Sequence, residues 1–357
     1  MKSNHFALIM AGGQGTRFWP WSSAARPKQF LPVIGDTPLL TQTWHRLAHF
    51  IATDHIFVIA DQKYLPAIRE CLPEMKETNF LAEPAPRNTA PALILANIRL
   101  SRIDPDANLL VLPADHFVDR EEEFARQLQA ALDYAENRCL ITAGIKPDSP
   151  HTGYGYIQFD AKRKERSGDA DFHPVLCFKE KPTRAAAQSY LRRKNFFWNS
   201  GMFIYKLRFF KEFLQTYADY YFQQYLRLEK TFNQQARFAE IFRAIKPESI
   251  DYALMEKIKE VWMVPARFIW NDVGSWSSVY EMNAKDASGN VRRGRPILID
   301  TEKSLVFSTT DKPLAVIGLR EVAVIHTADG ILVADIKELQ QVKKVIRRLL
   351  GGDAKDG

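Results

Sequence analysis

The chain has 357 residues, 46% hydrophobic and 25% charged, the balance of a folded globular protein and not of a disordered one. Its net charge of +7 comes from Lys and Arg interleaved with acids; this excludes a nucleic-acid-binding stripe and suits an enzyme that handles polyanionic phosphates. Three widely spaced cysteines (Cys71, Cys139, Cys177) form neither a disulfide framework nor a zinc pattern. No signal peptide and no bilayer-length apolar run is visible, so the expectation is a cytoplasmic protein without membrane or nucleic-acid partners.

Along the chain, the apolar run Phe6–Met10 stops at Gly12-Gly13, as a buried parallel strand entering a tight loop does. Thr37-Pro38 opens a helix that places Leu40, Trp44, Leu47 and Ala48 on one face. Ile56–Ala60 is the next buried strand. Asn88–Arg102 reads as a helix despite Pro91, and Leu109–Leu112 as a strand ending at Pro113-Ala114-Asp115-His116. A helix over Phe124–Tyr134 and a strand over Leu140–Ile145 continue the alternation. The pattern predicts an α/β fold with a parallel sheet covered on both faces, and ligands beyond the carboxyl ends of its strands. Gly12-Gly13 and Asp115 both fall at such ends. Tyr154–Phe159, Val175–Lys179 and Met202–Tyr205 read as further strands, and Arg208–Leu228 as one helical, aromatic-rich segment. After about Asp286 the pattern changes to short β runs at Pro296–Asp300, Ser304–Phe307, Leu314–Ile317, Val322–Ile325 and Ile331–Val333. A final helix, Lys337–Leu350, is capped by Gly351-Gly352. The expected division is a catalytic domain over 1–284 and a small β-rich domain with the terminal helix over 285–357.

The loop Gly12-Gly13-Gln14-Gly15-Thr16-Arg17 carries the first chemistry. Its glycines let backbone N–H groups approach an anion, and Arg17 adds a fixed charge. A dinucleotide fingerprint would need glycine where Phe18 stands, and a P-loop would need Gly-Lys-Ser/Thr. Lys28, in the stiff segment Pro27–Pro32, places a cation after this loop; without the loop it would read as a surface lysine. Asp115 reads either as a turn aspartate or as a magnesium ligand. Asp272, in Trp270-Asn271-Asp272-Val273-Gly274-Ser275-Trp276, is the second carboxylate such a site would use. His116 reads as a structural neighbour. Lys181 suits the phosphate of a second substrate and Glu180 its hydroxyls. Trp198-Asn199-Ser200-Gly201 suits a sugar, although a core tryptophan is the commoner explanation. His45 and His49 lack the glutamate of a zinc protease motif, and no Gly-x-Ser-x-Gly elbow is present.

In order, these motifs resemble the sugar-1-phosphate nucleotidyltransferases, and most closely their bacterial mannose-1-phosphate guanylyl branch. The matching stretches are Leu8–Arg17, Pro27–Leu31, Glu83–Ala92, Leu112–His116, Thr152–Ile157, Phe178–Pro182, Trp198–Phe203, Ser249–Ala253, Met255–Lys257 and Trp270–Trp276. Arg87-Asn88-Thr89-Ala90-Pro91 and Ser249-Ile250-Asp251-Tyr252-Ala253 point to the guanylyl branch. The resemblance implies a Rossmann-like nucleotidyltransferase domain with a mixed, mostly parallel sheet and a small C-terminal left-handed β-helix-like domain. It implies that Ala11, Gly12, Gly13, Gly15, Thr16, Glu83, Arg87, Asn88 and Thr89 shape the nucleotide site. Arg17, Lys28, Asp115 and Asp272 would be catalytic, with Mg²⁺ on Asp115 and Asp272. Gly153, Glu180 and Asn199 would meet mannose, and Lys181 its phosphate.

The implied substrates are GTP and mannose 1-phosphate, the products GDP-mannose and pyrophosphate. The nucleophile is already an anion, so no general base is needed; the task is to hold two polyanions together. The same chemistry on another sugar 1-phosphate is the nearest alternative. A silent nucleotide-sugar-binding regulator is another, and its sign would be loss of Lys28, Asp115 or Asp272, all of which are present. The chain ends without the isomerase domain of many relatives, so a monofunctional enzyme is expected; its oligomeric state is not legible in the sequence, with the β domain and terminal helix as the surfaces a homodimer could use.

Overall fold

The computed structural model describes residues 4–13 and 16–349. Gly15, the Thr16 side chain, and Leu350 with its expected Gly351-Gly352 cap lie outside the described residues. Contacts divide the chain into two compact units, and neither is continuous in sequence. The first comprises the chain through Gly12, Thr43–Ala114 and Val118–Trp270; the second comprises Gly13–Gln42, Asp115–Phe117 and everything from Asn271.

In the first unit ten strands form one mixed sheet, among the described residues. A parallel block orders Phe80–Glu83, Ile56–Asp61, His5–Met10 and Asn108–Pro113 side by side. Phe6, Ala7, Leu8 and Ile9 are all fully buried, the continuous apolar run that a strand covered on both faces requires. Beyond this block the pairing turns antiparallel through Phe196–Lys206, which lies between Asn108–Pro113 and Leu140–Ile145. Val261–Pro265 then pairs parallel to Leu140–Ile145, and Ala170–Lys179 antiparallel to it in turn.

Asn88 adopts φ 66° and its side-chain oxygen accepts the Thr89 N–H, which opens the helix Thr89–Leu100. Pro91 falls in the first turn, where a missing N–H costs nothing. The segment expected as one helix over Arg208–Leu228 is two, Leu207–Tyr217 and Asp219–Lys230. The break is at Ala218, whose φ −143° and ψ 59° are not helical. It turns Phe209, Phe210 and Phe213 of the first helix and Tyr221 and Tyr225 of the second into one core. The strand expected at Met202–Tyr205 is longer, Phe196–Lys206, with a register shift between Asn199 and Phe203. Trp198-Asn199-Ser200-Gly201 therefore lies inside a bulged strand and not before it.

In the second unit the chain alternates between two small sheets. Val291–Arg293, Leu305–Ser308 and Val322–Thr327 pair in parallel in one; Ile297–Ile299 and Ala315–Ile317 pair in parallel in the other. This alternation is the winding of a β-helix. Val306, Val316 and Val324 point inward between the sheets. Leu305, Phe307, Ala323 and Ile325 face the opposite way, and there they bury Phe18, Leu31, Val33, Ile34 and Trp276. The segment from Thr16 to Leu39 is thus packed on the C-terminal strands. The final helix is divided: a 3-10 turn over Ile336–Gln341 precedes the α-helix Val342–Leu349. Among the described residues no helix is long and apolar enough to cross a membrane.

Candidate functional site

In the second unit the structure brings Lys28, Asp115 and the Asp272 loop together. The Lys28 ammonium donates to the Asp272 carbonyl at 2.7 Å and the Val273 carbonyl at 3.0 Å, and lies 3.0 Å from Asp115 Oδ2. Its side chain is 12% exposed, so these contacts are largely shielded from water. Burial works to raise the Asp115 carboxyl. The charges of Lys28 and His116 and the Lys28 hydrogen bond more than offset this, and Asp115 ionises below the usual carboxylate range. His116 Nε2 stands 3.8 Å from Asp115 Oδ1, the neighbour's place expected for it. The Arg17 guanidinium donates to the Gly274 carbonyl at 3.3 Å.

The Asp272 loop is held by strain and close approach. Val273, a β-branched residue, adopts φ 47°, and its N–H donates to Asn271 Oδ1 at 2.8 Å. A Cβ on Gly274 would lie 2.8 Å from Asp272 Oδ2, so only glycine lets that carboxylate fold back over the turn. Trp276 anchors the loop by donating its indole N–H to the Trp19 carbonyl at 3.0 Å. Gly13 has φ 107°, a conformation that also demands glycine.

In the first unit two further groups assemble. At the carboxyl ends of parallel strands, Ala11 N–H donates to the Ile59 carbonyl, and a Cβ on Gly12 would lie 4.0 Å from Glu83 Oε2. Burial, and then the Asp61 charge across the register, lift the Glu83 carboxyl to about 7. Arg87 Nε is buried with no hydrogen-bond partner among the described residues. Thr89, expected at the nucleotide, uses its hydroxyl to accept the Ile250 N–H at 2.8 Å.

The other group joins Glu180, Lys181 and Asn199. The Lys181 ammonium donates to Glu180 Oε1 at 2.6 Å, and the Glu180 N–H donates to Glu256 Oε1 at 3.2 Å. Partial burial works to lower the Lys181 ammonium, but Glu180 with Tyr252 and Asp251 raises it overall. Thr142 Oγ1 donates to Asn199 Oδ1 at 3.0 Å, and Asn199 Nδ2 donates to Asp251 Oδ1 at 3.2 Å. A Cβ on Gly155 would lie 2.5 Å from Glu180 Oε2 and 3.4 Å from Asn199 Cβ. Gly153 instead lies against the His151 ring. Sequence reasoning singled out neither Gly155 nor Asp251 for this cluster. Both stood inside quoted motifs, Gly155 two residues past Gly153 and Asp251 in Ser249–Ala253, but neither was given a part at the sugar. Trp198 is buried against Tyr156 and Phe196, so its ring follows the commoner, core explanation.

The family described as "Nucleotidyl transferase" matches residues 6–289, and "MannoseP isomerase/GMP-like beta-helix domain" matches residues 294–349. A mannose-1-phosphate guanylyltransferase of Escherichia coli is 36% identical, over 98% of this chain and 76% of its own. The alginate biosynthesis protein AlgA of Pseudomonas aeruginosa is 36% identical, over 96% of this chain and 71% of its own. A solved structure described as a mannose-1-phosphate geranyltransferase from Thermus thermophilus superposes with a TM-score of 0.86 at 31% identity, covering 97% of this chain and 99% of that one.

Proposed function

The chain belongs to the nucleotidyl transferase family, and from that premise we propose that it transfers GMP from GTP to mannose 1-phosphate, giving GDP-mannose and pyrophosphate. The observation that carries this reading is the shielded Lys28 ammonium, set between the Asp115 carboxylate and the Asp272 loop. Charge of both signs fixed at one point is what a transfer between two phosphates needs.

A phosphate oxygen of mannose 1-phosphate attacks the α-phosphorus of GTP. A new P–O bond forms, and the bond to the bridging oxygen of the β-phosphate breaks, its electron pair leaving on pyrophosphate. Gly12 and Gly13 let the backbone approach the nucleotide, with Ala11, Gly15 and Thr16 beside them. Arg17 and Lys28 hold the triphosphate. Glu83, Arg87, Asn88 and Thr89 shape the base side. Gly153, Glu180 and Asn199 meet the sugar, and Lys181 holds its phosphate.

Asp115 and Asp272 suit Mg²⁺. Among the described residues no group of three or more His, Cys, Asp or Glu converges on one point. Two carboxylates fit a hard cation that fills its shell with water and substrate oxygens. When bound, the ion neutralises phosphate charge. Free cysteines fit a reducing cytoplasm, and the exposed isoleucines on the outer face of the sheet Ile297–Ile299 with Ala315–Ile317 support a homodimer that meets there.

Pyrophosphate release, measured with four nucleoside triphosphates against mannose and glucose 1-phosphates, tests the reading. Highest kcat/KM with GTP and mannose 1-phosphate is expected, and preference for another pair would replace these substrates. Asp272→Asn is expected to lower turnover at least about a hundredfold with the fold intact. Near-normal activity at saturating Mg²⁺ would remove Asp272 from the metal site.

A further inference from the structure

Asn199 is held more tightly than a bulge residue needs to be. The Gly201 N–H can only donate, and it donates to Asn199 Oδ1 at 3.2 Å, which fixes which end of the amide is oxygen. Thr142 Oγ1 donates to the same oxygen at 3.0 Å, filling its second lone pair. The amide nitrogen is left with two hydrogens. One goes to Asp251 Oδ1 at 3.2 Å, and the other has no protein partner among the described residues.

Asp251 is itself placed by a short strap. It opens the turn Asp251–Met255, whose approach is pinned where the Ile250 N–H meets Thr89 Oγ1. The strap leaves through Glu256, whose carboxylate accepts the Glu180 N–H at 3.2 Å. One segment thus holds both the Glu180-Lys181 turn and the Asn199 amide. Burial and the Glu180 charge lift the Asp251 carboxyl to about 6, which leaves it chiefly an ionised acceptor at neutral pH.

We propose that Asp251 is the positioning residue of the sugar-1-phosphate subsite: its carboxylate takes one Asn199 amide hydrogen and so aims the other at a hydroxyl of the bound sugar. The inference rests on the function proposed above. It gives the Ser249-Ile250-Asp251-Tyr252-Ala253 stretch a task that no substrate contact by Asp251 itself is needed to explain.

The test is a double-mutant cycle of Asp251→Ala and Asn199→Ala in the full chain, with initial rates read separately against the sugar phosphate and the nucleotide. The sugar phosphate is the best one found for the unsubstituted protein, so a wrong assignment of mannose shows in that panel and leaves the cycle readable. Asp251→Ala is expected to raise the sugar-phosphate KM about tenfold, the scale of one lost charged hydrogen bond, with nucleotide KM within about twofold. In the Asn199→Ala background the same change is expected to add less than about twofold, because the group it positions is gone. Asp251→Asn keeps an acceptor oxygen and turns its amide toward Glu180, so its sugar-phosphate KM is expected within about threefold of the starting value. Fully multiplicative KM effects would show that Asp251 meets the substrate directly and overturn the proposal. So would an equal rise in both KM values, or an Asp251→Asn variant as impaired as Asp251→Ala.

Discussion

Glu83 combines a carboxyl group with a place beside Gly12 and 7% exposure. Guanine presents N1–H and an amino group on one edge, and an ionised carboxylate accepts both, whereas adenine has no such pair. Glu83→Gln is expected to raise the GTP KM about tenfold and to narrow the preference for GTP over ATP, measured as a ratio of kcat/KM values. The same residue sets a pH dependence of stability. Its folded pKa of about 7 lies above the ordinary 4.5, so between these values the folded protein holds a proton that the unfolded chain releases. Stability from this group is therefore full below the lower value and falls as pH rises through about 7. Glu83→Gln removes that loss, so its stability relative to the parent is expected to rise by on the order of 2 kcal/mol between about pH 4.5 and 8. Urea melts at the two pH values check this, and a pH-independent difference would discard it. Gly155 makes a steric case at the sugar cluster. Gly155→Ala drives a methyl into Glu180 Oε2, at 2.5 Å. The sugar-phosphate KM is expected to rise about tenfold with the nucleotide KM unchanged, since one misplaced polar contact is lost.

At the scale of elements, the strand before the glycine loop was legible because four consecutive apolar residues are buried on both faces. So was the turn at Asp115, because its strand stops at a proline. What the Lys28 segment packs on was not legible. Phe18, Leu31, Val33 and Ile34 stand among prolines and turns, follow neither helical nor strand periodicity, and meet strands nearly three hundred residues later. The β-helix was implied by the resemblance but not by periodicity, for a related reason. Val291 pairs with Leu305 and Leu305 with Ala323, so successive coils differ in length and no fixed period appears. The Asn199 bulge was missed because Asn-Ser-Gly reads as a break when it stands between apolar runs. The link from Lys28 to the C-terminal strands has a consequence at Arg293. Its guanidinium donates to the Pro32 carbonyl and, at 2.6 Å, to the Gly35 carbonyl, and lies 5.5 Å from the Trp21 and Phe307 ring centroids. Arg293→Ala is expected to cost about 2 kcal/mol in urea melts, from two charged hydrogen bonds and ring contacts. It is also expected to slow single-turnover transfer, because the segment that carries Lys28 loses its clamp. A stability loss with an unchanged transfer rate would show that Lys28 is positioned without it.

For the molecule as a whole, the outer face of the sheet formed by Ile297–Ile299 and Ala315–Ile317 sets an expectation about assembly. Strand alternation buries Val316 and turns Ile297, Ile299 and Ile317 outward, where they are 56%, 47% and 60% exposed. Leu319 follows at 41%. Single exposed aliphatics need no explanation, but a row of them on adjacent parallel strands is a contiguous apolar surface. An apolar face of this kind can meet its own copy by a two-fold rotation, which sets the same residues against each other. The chain is therefore expected to sediment as a dimer at micromolar concentration. Ile299→Lys with Ile317→Lys places like charges across that axis and is expected to give a folded monomer whose melting temperature, unlike the parent's, does not depend on protein concentration. Sedimentation velocity on both proteins decides it: a parent that is monomeric at about 50 μM, or a double variant that remains dimeric, assigns any assembly to a different surface.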